Sequence, residues 1–159
     1  MQKITPFLWF DGNAYEAAQF YTSVFSNAKI TGIIPAQEDK AMTVTFELDG
    51  QEFIALNGGP VFNFTEAISF YVNCATQEEI DEKWEKLTSD GGKEGVCGWL
   101  TDKFGISWQV VPEILPQLLA DKNTAKAERV VQAMMQMKKM NIATLVDAAK
   151  EVPETIAAL

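Results

Sequence analysis

The feature that most restricts the fold of this chain is a pattern that begins twice. Ile4 to Phe10 is apolar on both parities, with Ile4, Pro6, Leu8 and Phe10 on one and Phe7 and Trp9 on the other. Such a run predicts a strand covered on both faces. Asp11-Gly12 ends it. Asn13, with Glu16 three positions on, has the spacing of a capping box and opens a helix to about Phe25. Three strands are predicted next: Lys29 to Pro35, Met42 to Leu48, and Glu52 to Leu56. Asp49-Gly50 joins the last two as a hairpin. Then the pattern restarts. Ala67 to Asn73 predicts a strand, and Thr76 with Glu79 repeats the capping box. The helix that follows turns Ile80, Trp84 and Leu87 inward and stops at Gly91-Gly92. Short strands around Val96 to Leu100, a turn at Asp102-Lys103-Phe104-Gly105 and a strand from Ile106 to Val111 complete the second round before Pro112.

Laid over one another, the rounds match Phe7 with Phe70, Trp9 with Val72, Asn13 with Thr76, Ala17 with Ile80 and Tyr21 with Trp84. These are strand, cap and helix-face positions, where a structural repeat has to agree. The fold class predicted is α+β, built from paired βαβββ modules in residues 1–112, about 1–60 and 65–112. Residues 113–159 form a helical extension. Within it a short helix spans Leu115 to Ala120, a longer one capped by Thr124 runs through Met140, and a third runs from about Asn141 through Ala149. The tail from Glu151 to Leu159 contains Pro153 and is expected to fray.

Composition narrows the chemistry. The 159 residues include no histidine, which excludes Ser-His-Asp and Cys-His catalysis and any imidazole metal site. Thirteen Lys and Arg against 22 Asp and Glu give a net charge of −9, which opposes binding to a phosphate backbone. No apolar run approaches the ~20 residues that cross a bilayer. Two cysteines, Cys74 and Cys97, fit a reducing compartment. The first residues show no signal-peptide core, so a cytoplasmic location is expected.

Several segments carry a resemblance. They are Ile4-Thr5-Pro6-Phe7-Leu8-Trp9-Phe10, Ala17-Ala18-Gln19-Phe20-Tyr21, Leu56-Asn57-Gly58-Gly59-Pro60, Cys97-Gly98-Trp99-Leu100, Asp102 through Pro112, and Ala125-Lys126-Ala127-Glu128-Arg129-Val130. Together they resemble the PhnB-like family, which also bears the label 3-demethylubiquinone-9 3-methyltransferase domain. That family is part of the vicinal oxygen chelate superfamily of glyoxalases, extradiol dioxygenases and bleomycin-resistance proteins. The resemblance implies the paired-module fold and a homodimer. It also implies three metal-ligand positions, which in this chain fall near Pro6, near Ala67 and on Gln109. Proline and alanine side chains carry no donor, and a lone carboxamide is a poor ligand. Neither a metal nor another cofactor is therefore expected. For S-adenosylmethionine the usual signature is also missing: Gly12 stands alone after its strand, and Gly58-Gly59 runs into Pro60.

If Gln109 faces the concave side, strand parity adds Ser107 and Val111, with Pro6, Leu8 and Phe10 from the first strand and Ala67, Ser69 and Tyr71 from the fifth. The candidate lining is Leu8, Phe10, Ser69, Tyr71, Trp99, Ser107 and Gln109, a mix of apolar groups and neutral hydrogen-bonders that suits a small molecule. The plainer reading is that these side chains fill the cleft themselves or meet a second subunit. Trp84 and Trp108 are expected between helix and sheet, and the carboxylates from Glu78 to Glu85 in water at a helix start. Three functions stay open: a small-molecule binder without a metal, as in the acidic bleomycin-resistance proteins; an enzyme with an atypical metal site or a methyltransferase; and an interaction module.

Overall fold

The computed structural model describes residues 2–36 and 41–150. The tail expected to fray lies outside them. The chain divides into two compact units, Met1–Ile68 with Phe104–Ile106, and Ser69–Lys103 with Ser107–Leu159.

In the first unit the elements are β1 (Phe7–Phe10), α1 (Ala14–Val24), β2 (Ala28–Pro35), β3 (Ala41–Leu48) and β4 (Gln51–Asn57). Their sheet order is β1-β4-β3-β2, with β1 parallel to β4 and the other pairs antiparallel. Alternation along the strands sends Leu8, Phe10, Val44, Phe46, Leu48, Phe53 and Ala55 to one buried face. Helix α1 lies there because Ala14, Ala17, Ala18, Tyr21 and Val24 recur at helical spacing. The small alanines let the backbone approach, and the Tyr21 ring stacks on Phe46 at 5.9 Å, which stacks in turn on Phe53 at 5.3 Å. Phe104 adds its ring against Phe10, Phe20 and Tyr21. The fully buried rings, Phe10, Tyr21, Phe46 and Phe53, contribute about 1.5–3 kcal/mol each.

The capping box expected at Asn13 does not form. Asn13 makes no side-chain cap bond. Instead Asn57, from the end of β4, accepts from the Ala14 N–H through Oδ1 at 2.9 Å, and its Nδ2 donates to the Ala41 carbonyl at 2.9 Å. A side chain distant in sequence thus satisfies one of the orphan donors of the first turn.

The second unit contains β5 (Phe70–Cys74), α2 (Gln77–Thr88), β6 (Lys93–Glu94), β7 (Trp99–Thr101) and β8 (Ser107–Pro112). The sheet order is β5-β8-β7-β6, again with one parallel pair, β5 with β8. Here the cap is local: Thr76 Oγ1 accepts from the Glu79 N–H at 3.2 Å, and the Glu79 carboxylate accepts from the Ala75 N–H at 2.7 Å. Ile80, Trp84 and Leu87 of α2 are buried, and so are Leu100, Trp108, Val110 and Cys74 on the sheet. The fold is therefore α+β, with two four-stranded mixed sheets.

Three boundaries differ from the sequence reading. β5 begins at Phe70, not Ala67, because the Thr65 hydroxyl accepts from the Ala67 N–H at 3.2 Å and holds a turn there. β7 begins at Trp99, not Val96, because Cys97 and Gly98 have φ of +55° and +78°. α4 (Thr124–Met135) is capped by Asn123, not Thr124, and ends well before Met140. Bonds from the Gln136 N–H to the Ala133 carbonyl and from the Met137 N–H to the Met134 carbonyl tighten and close it. The remaining helices of the extension are α3 (Leu115–Leu119) and α5 (Ile142–Ala149), the latter starting where expected and capped by Asn141. Among the described residues no helix is long and apolar enough to cross a membrane.

Candidate functional site

On the second sheet, the face opposite the buried one carries a continuous row. Tyr71 of β5 pairs with Gln109 of β8, which pairs with Trp99 of β7. Residues at paired positions share a face, so the three side chains stand side by side. Gln109 and Trp99 are half-buried and Tyr71 is 52% exposed. The Gln109 amide is held: its Nε2 donates to Ser69 Oγ at 2.9 Å. Burial, and after it the neighbouring Cys74, pushes the Tyr71 phenol above its ordinary value, which keeps it neutral near pH 7.

One step along the sheet, Ser107 pairs with Thr101, and Thr101 with Lys93. Ser107 is 2% exposed and its Oγ has no hydrogen-bond partner, the one such buried side-chain atom among the described residues. Lys93 was not expected here. Its position follows from the β6–β7 register, which the short, glycine-flanked strands hide in the sequence. The face thus gathers Ser69, Tyr71, Trp99, Ser107 and Gln109, five of the seven residues predicted to line it.

Leu8 and Phe10 are the exceptions. They are 8% and 3% exposed and belong to the face packed under α1. The cause is a slip of one residue in the repeat. Phe10 pairs with Asn57 at the end of β4, and its carbonyl accepts from the Gly58 N–H at 2.9 Å; Cys74 pairs with Pro112, and its carbonyl accepts from the Glu113 N–H at 2.9 Å. Phe10 therefore corresponds to Cys74, and Phe7 to Tyr71. Two residues, Asp11-Gly12, separate strand from cap in the first module, and only Ala75 does so in the second. A shift of one position reverses every side chain of a strand. The residues that stand on the open face of the first sheet are Phe7, 57% exposed, and Trp9. Trp9 donates from Nε1 to the Gly59 carbonyl at 2.8 Å and meets the Phe62 ring edge-on at 5.0 Å.

Other candidates sort readily. Trp108 donates to buried Asp102 at 2.8 Å and Trp84 to Glu94 at 2.8 Å. The α2 carboxylates form surface pairs, Glu82 with Lys86 at 2.6 Å and Asp81 with Lys139 at 2.7 Å. The Cys74 thiol is pushed up to about 11, first by burial and then by Glu79, which leaves almost no thiolate at neutral pH.

The donor set does not fit the superfamily metal. Pro6 and Ala67 offer no side-chain donor, which leaves the Gln109 amide oxygen alone, and a lone neutral carboxamide is a poor ligand. Among the described residues no three Cys, Asp or Glu side chains converge to hold an ion. S-adenosylmethionine fits no better at the glycines. The first N–H of α1 beyond Gly12 is taken by Asn57. A Cβ on Gly58 would lie 2.2 Å from the Trp9 ring, so that glycine makes room for an indole.

Comparison with known proteins decides the family. The family described as 3-demethylubiquinone-9 3-methyltransferase matches residues 2–111. The chain belongs to this family. The PhnB protein from Bacillus cereus, whose name carries the same label, is 40% identical, covers 70% of this chain over 99% of its own length, and superposes with a TM-score of 0.65. Protein PA1353 from Pseudomonas aeruginosa, at 22% identity, covers 71% of this chain and 98% of its own with a TM-score of 0.60, a likeness of fold. No curated protein matches the chain. The family match to the PhnB-like core ends at residue 111, so α3, α4 and α5 lie beyond it.

Proposed function

We propose that the chain is a small-molecule binding protein that works without a metal, and that its ligand lies on the open face of the second sheet. The observation that carries this reading is the row Tyr71–Gln109–Trp99 with its amide already oriented by Ser69. Two aromatic side chains supply flat contact area at low entropic cost, and one held carboxamide with neighbouring hydroxyls supplies direction. The orphaned Ser107 hydroxyl shares this side of the sheet but is 2% exposed, so it lies beneath the surface that a ligand would meet. No step of a reaction follows from these groups.

The reading includes a homodimer in the cytoplasm, with neither nucleic acid nor membrane as partner. The net charge of −9 supports the exclusion of nucleic acid. Exposed Phe7, Ile33, Ile34 and Phe62 on the first unit support a protein contact.

The family's name favours a methyltransferase as the second reading, and one experiment separates the two. Purified protein is assayed for bound metal, and its melting is followed with Mn, Fe, Ni, Zn and S-adenosylmethionine. An aromatic fragment library is then screened by NMR on the Trp99 indole and the Gln109 side-chain amide. The expected result is no stoichiometric metal, no stabilisation by the ions or by S-adenosylmethionine, and fragment binding weakened roughly tenfold in Gln109→Leu, the loss of about 1.4 kcal/mol. Stoichiometric metal or stabilisation by S-adenosylmethionine would transfer the case to an enzyme.

A further inference from the structure

The extension beyond the family match makes its most specific contacts through the segment between α4 and α5, residues 136–141. After α4 closes, the carbonyls of Met137 and Lys138 point out of the helix. They accept from the N–H groups of Cys97 and Gly98, at 2.8 Å each. These are the two residues with left-handed φ just before Trp99, whose N–H groups have no place in the sheet ladder. Below them Met140 is 1% exposed. A Cβ on Gly98 would come within 3.2 Å of Met140 Cγ and 2.7 Å of the Val110 carbonyl.

The segment is tied down at its other side. Gln77 of α2 uses both ends of its carboxamide: Nε2 donates to the Met140 carbonyl at 3.1 Å, and Oε1 accepts from the Ile142 N–H at 2.8 Å. Lys139 pairs with Asp81 at 2.7 Å and Lys138 with Glu94 at 3.4 Å, the same Glu94 that accepts from the Trp84 indole. Trp99 is held between this turn and β8. Its N–H donates to the Val96 carbonyl at 3.0 Å, its carbonyl accepts from the Gly95 N–H at 2.8 Å, and the Gly98 carbonyl accepts from the Val110 N–H at 2.8 Å.

We infer that residues 136–141 are a strap that sets Trp99 on the binding face, and that Gln77 is the positioning residue that holds the strap. The inference rests on the reading of Trp99 as a ligand contact. It makes the helical extension part of the binding apparatus of this chain, through two N–H groups that residues beyond the family match satisfy.

The test uses the whole protein, 2-naphthol as a neutral aromatic probe, and the variant Gln77→Leu, which keeps the bulk and removes the amide's bonds to Met140 and Ile142 together with its 3.0 Å bond to Asp81. Amide exchange of Cys97 and Gly98 is expected to rise roughly tenfold while Val130 and Leu145 stay protected. The Trp99 indole resonance is expected to move, and the Kd for 2-naphthol to rise severalfold. Should Gln77→Leu fail to fold, Lys139→Gln carries the test, with the same signs and smaller changes. Unchanged exchange at Cys97 and Gly98 would overturn the inference. So would faster exchange with the Trp99 resonance and 2-naphthol affinity unmoved, the signature of a purely structural brace. If 2-naphthol leaves the wild-type Trp99 and Gln109 resonances untouched, the binding-face reading falls first and the inference falls with it, a result distinct from either of the others.

Discussion

Gly58 is a glycine because an indole needs its space. It sits beside Gly59 and before Pro60, and the space of its missing side chain is taken by the six-membered ring of Trp9. The indole Nε1–H donates to the next carbonyl, that of Gly59. Adding a methyl group drives carbon into carbon at 2.2 Å, an overlap relieved only by moving the indole. We predict that Gly58→Ala lowers stability by about 1–3 kcal/mol, the range for overpacking. In a Trp9→Leu background the same substitution becomes nearly neutral, because the obstacle has gone. Denaturant midpoints of the four proteins of this cycle check the point. Equal losses in both backgrounds would mean that some other contact constrains Gly58.

At the scale of elements, the strap brings two carboxylates under acid control. The hydrogen bond from Lys139, followed by that from Gln77, holds the Asp81 carboxyl below its ordinary range. The Trp84 indole first, and then Lys138, do the same for Glu94. A depressed carboxyl contributes stability above its unfolded value and loses it as the pH falls toward the folded one. The contribution is therefore present at neutral pH and fades below about pH 4. Both groups face solvent, so the effect is small and screened by salt. Melting curves between pH 6 and 3 are expected to fall more steeply for the wild type than for a Lys138→Gln, Lys139→Gln double variant. Parallel curves would remove these pairs from the account.

The same scale shows which elements are legible in a sequence. Strand and helix periods, the Asp-Gly hairpin and the Thr76 and Asn141 caps all act through neighbours in the chain, and each is where the sequence places it. Two of the failures share one cause, a partner far away. Asn13 looks like a cap and is displaced by Asn57. Met135 to Met140 keeps an apolar helical pattern, but Met140 is wanted beneath Gly98 and the helix stops short. On the second sheet one alternation rule links Ser107, Gln109 and Tyr71, and the strand pairing puts them on one face. On the first sheet Asp11-Gly12 lengthens the strand-to-helix turn by a residue, and Leu8 and Phe10 point inward.

For the whole molecule, the apolar groups left in water on the first unit set the expectation. Ile33 and Ile34 belong to β2, an edge strand of its sheet, and Met42 to its neighbour β3. Exposed apolar side chains on an edge invite pairing. Sedimentation at micromolar concentration is expected to give twice the chain mass of 17.6 kDa. Ile34→Lys should return the molecule to a single chain while leaving its circular dichroism unchanged. A wild type that sediments as one chain would remove the homodimer from the proposed function.

The Asn57 carboxamide also bears on the order in which the chain can assemble. The first turn of α1 waits for an acceptor 43 residues downstream, at the far end of a strand that must already have found its neighbours. The first turn of α2 needs only Thr76, three residues from the amide it serves. Nucleation of the second helix is thus a local event, whereas the first bears the entropy of closing a long loop before its opening turn is complete. Two modules of one design, made by the same ribosome in sequence, would then consolidate in the reverse of the order in which they emerge.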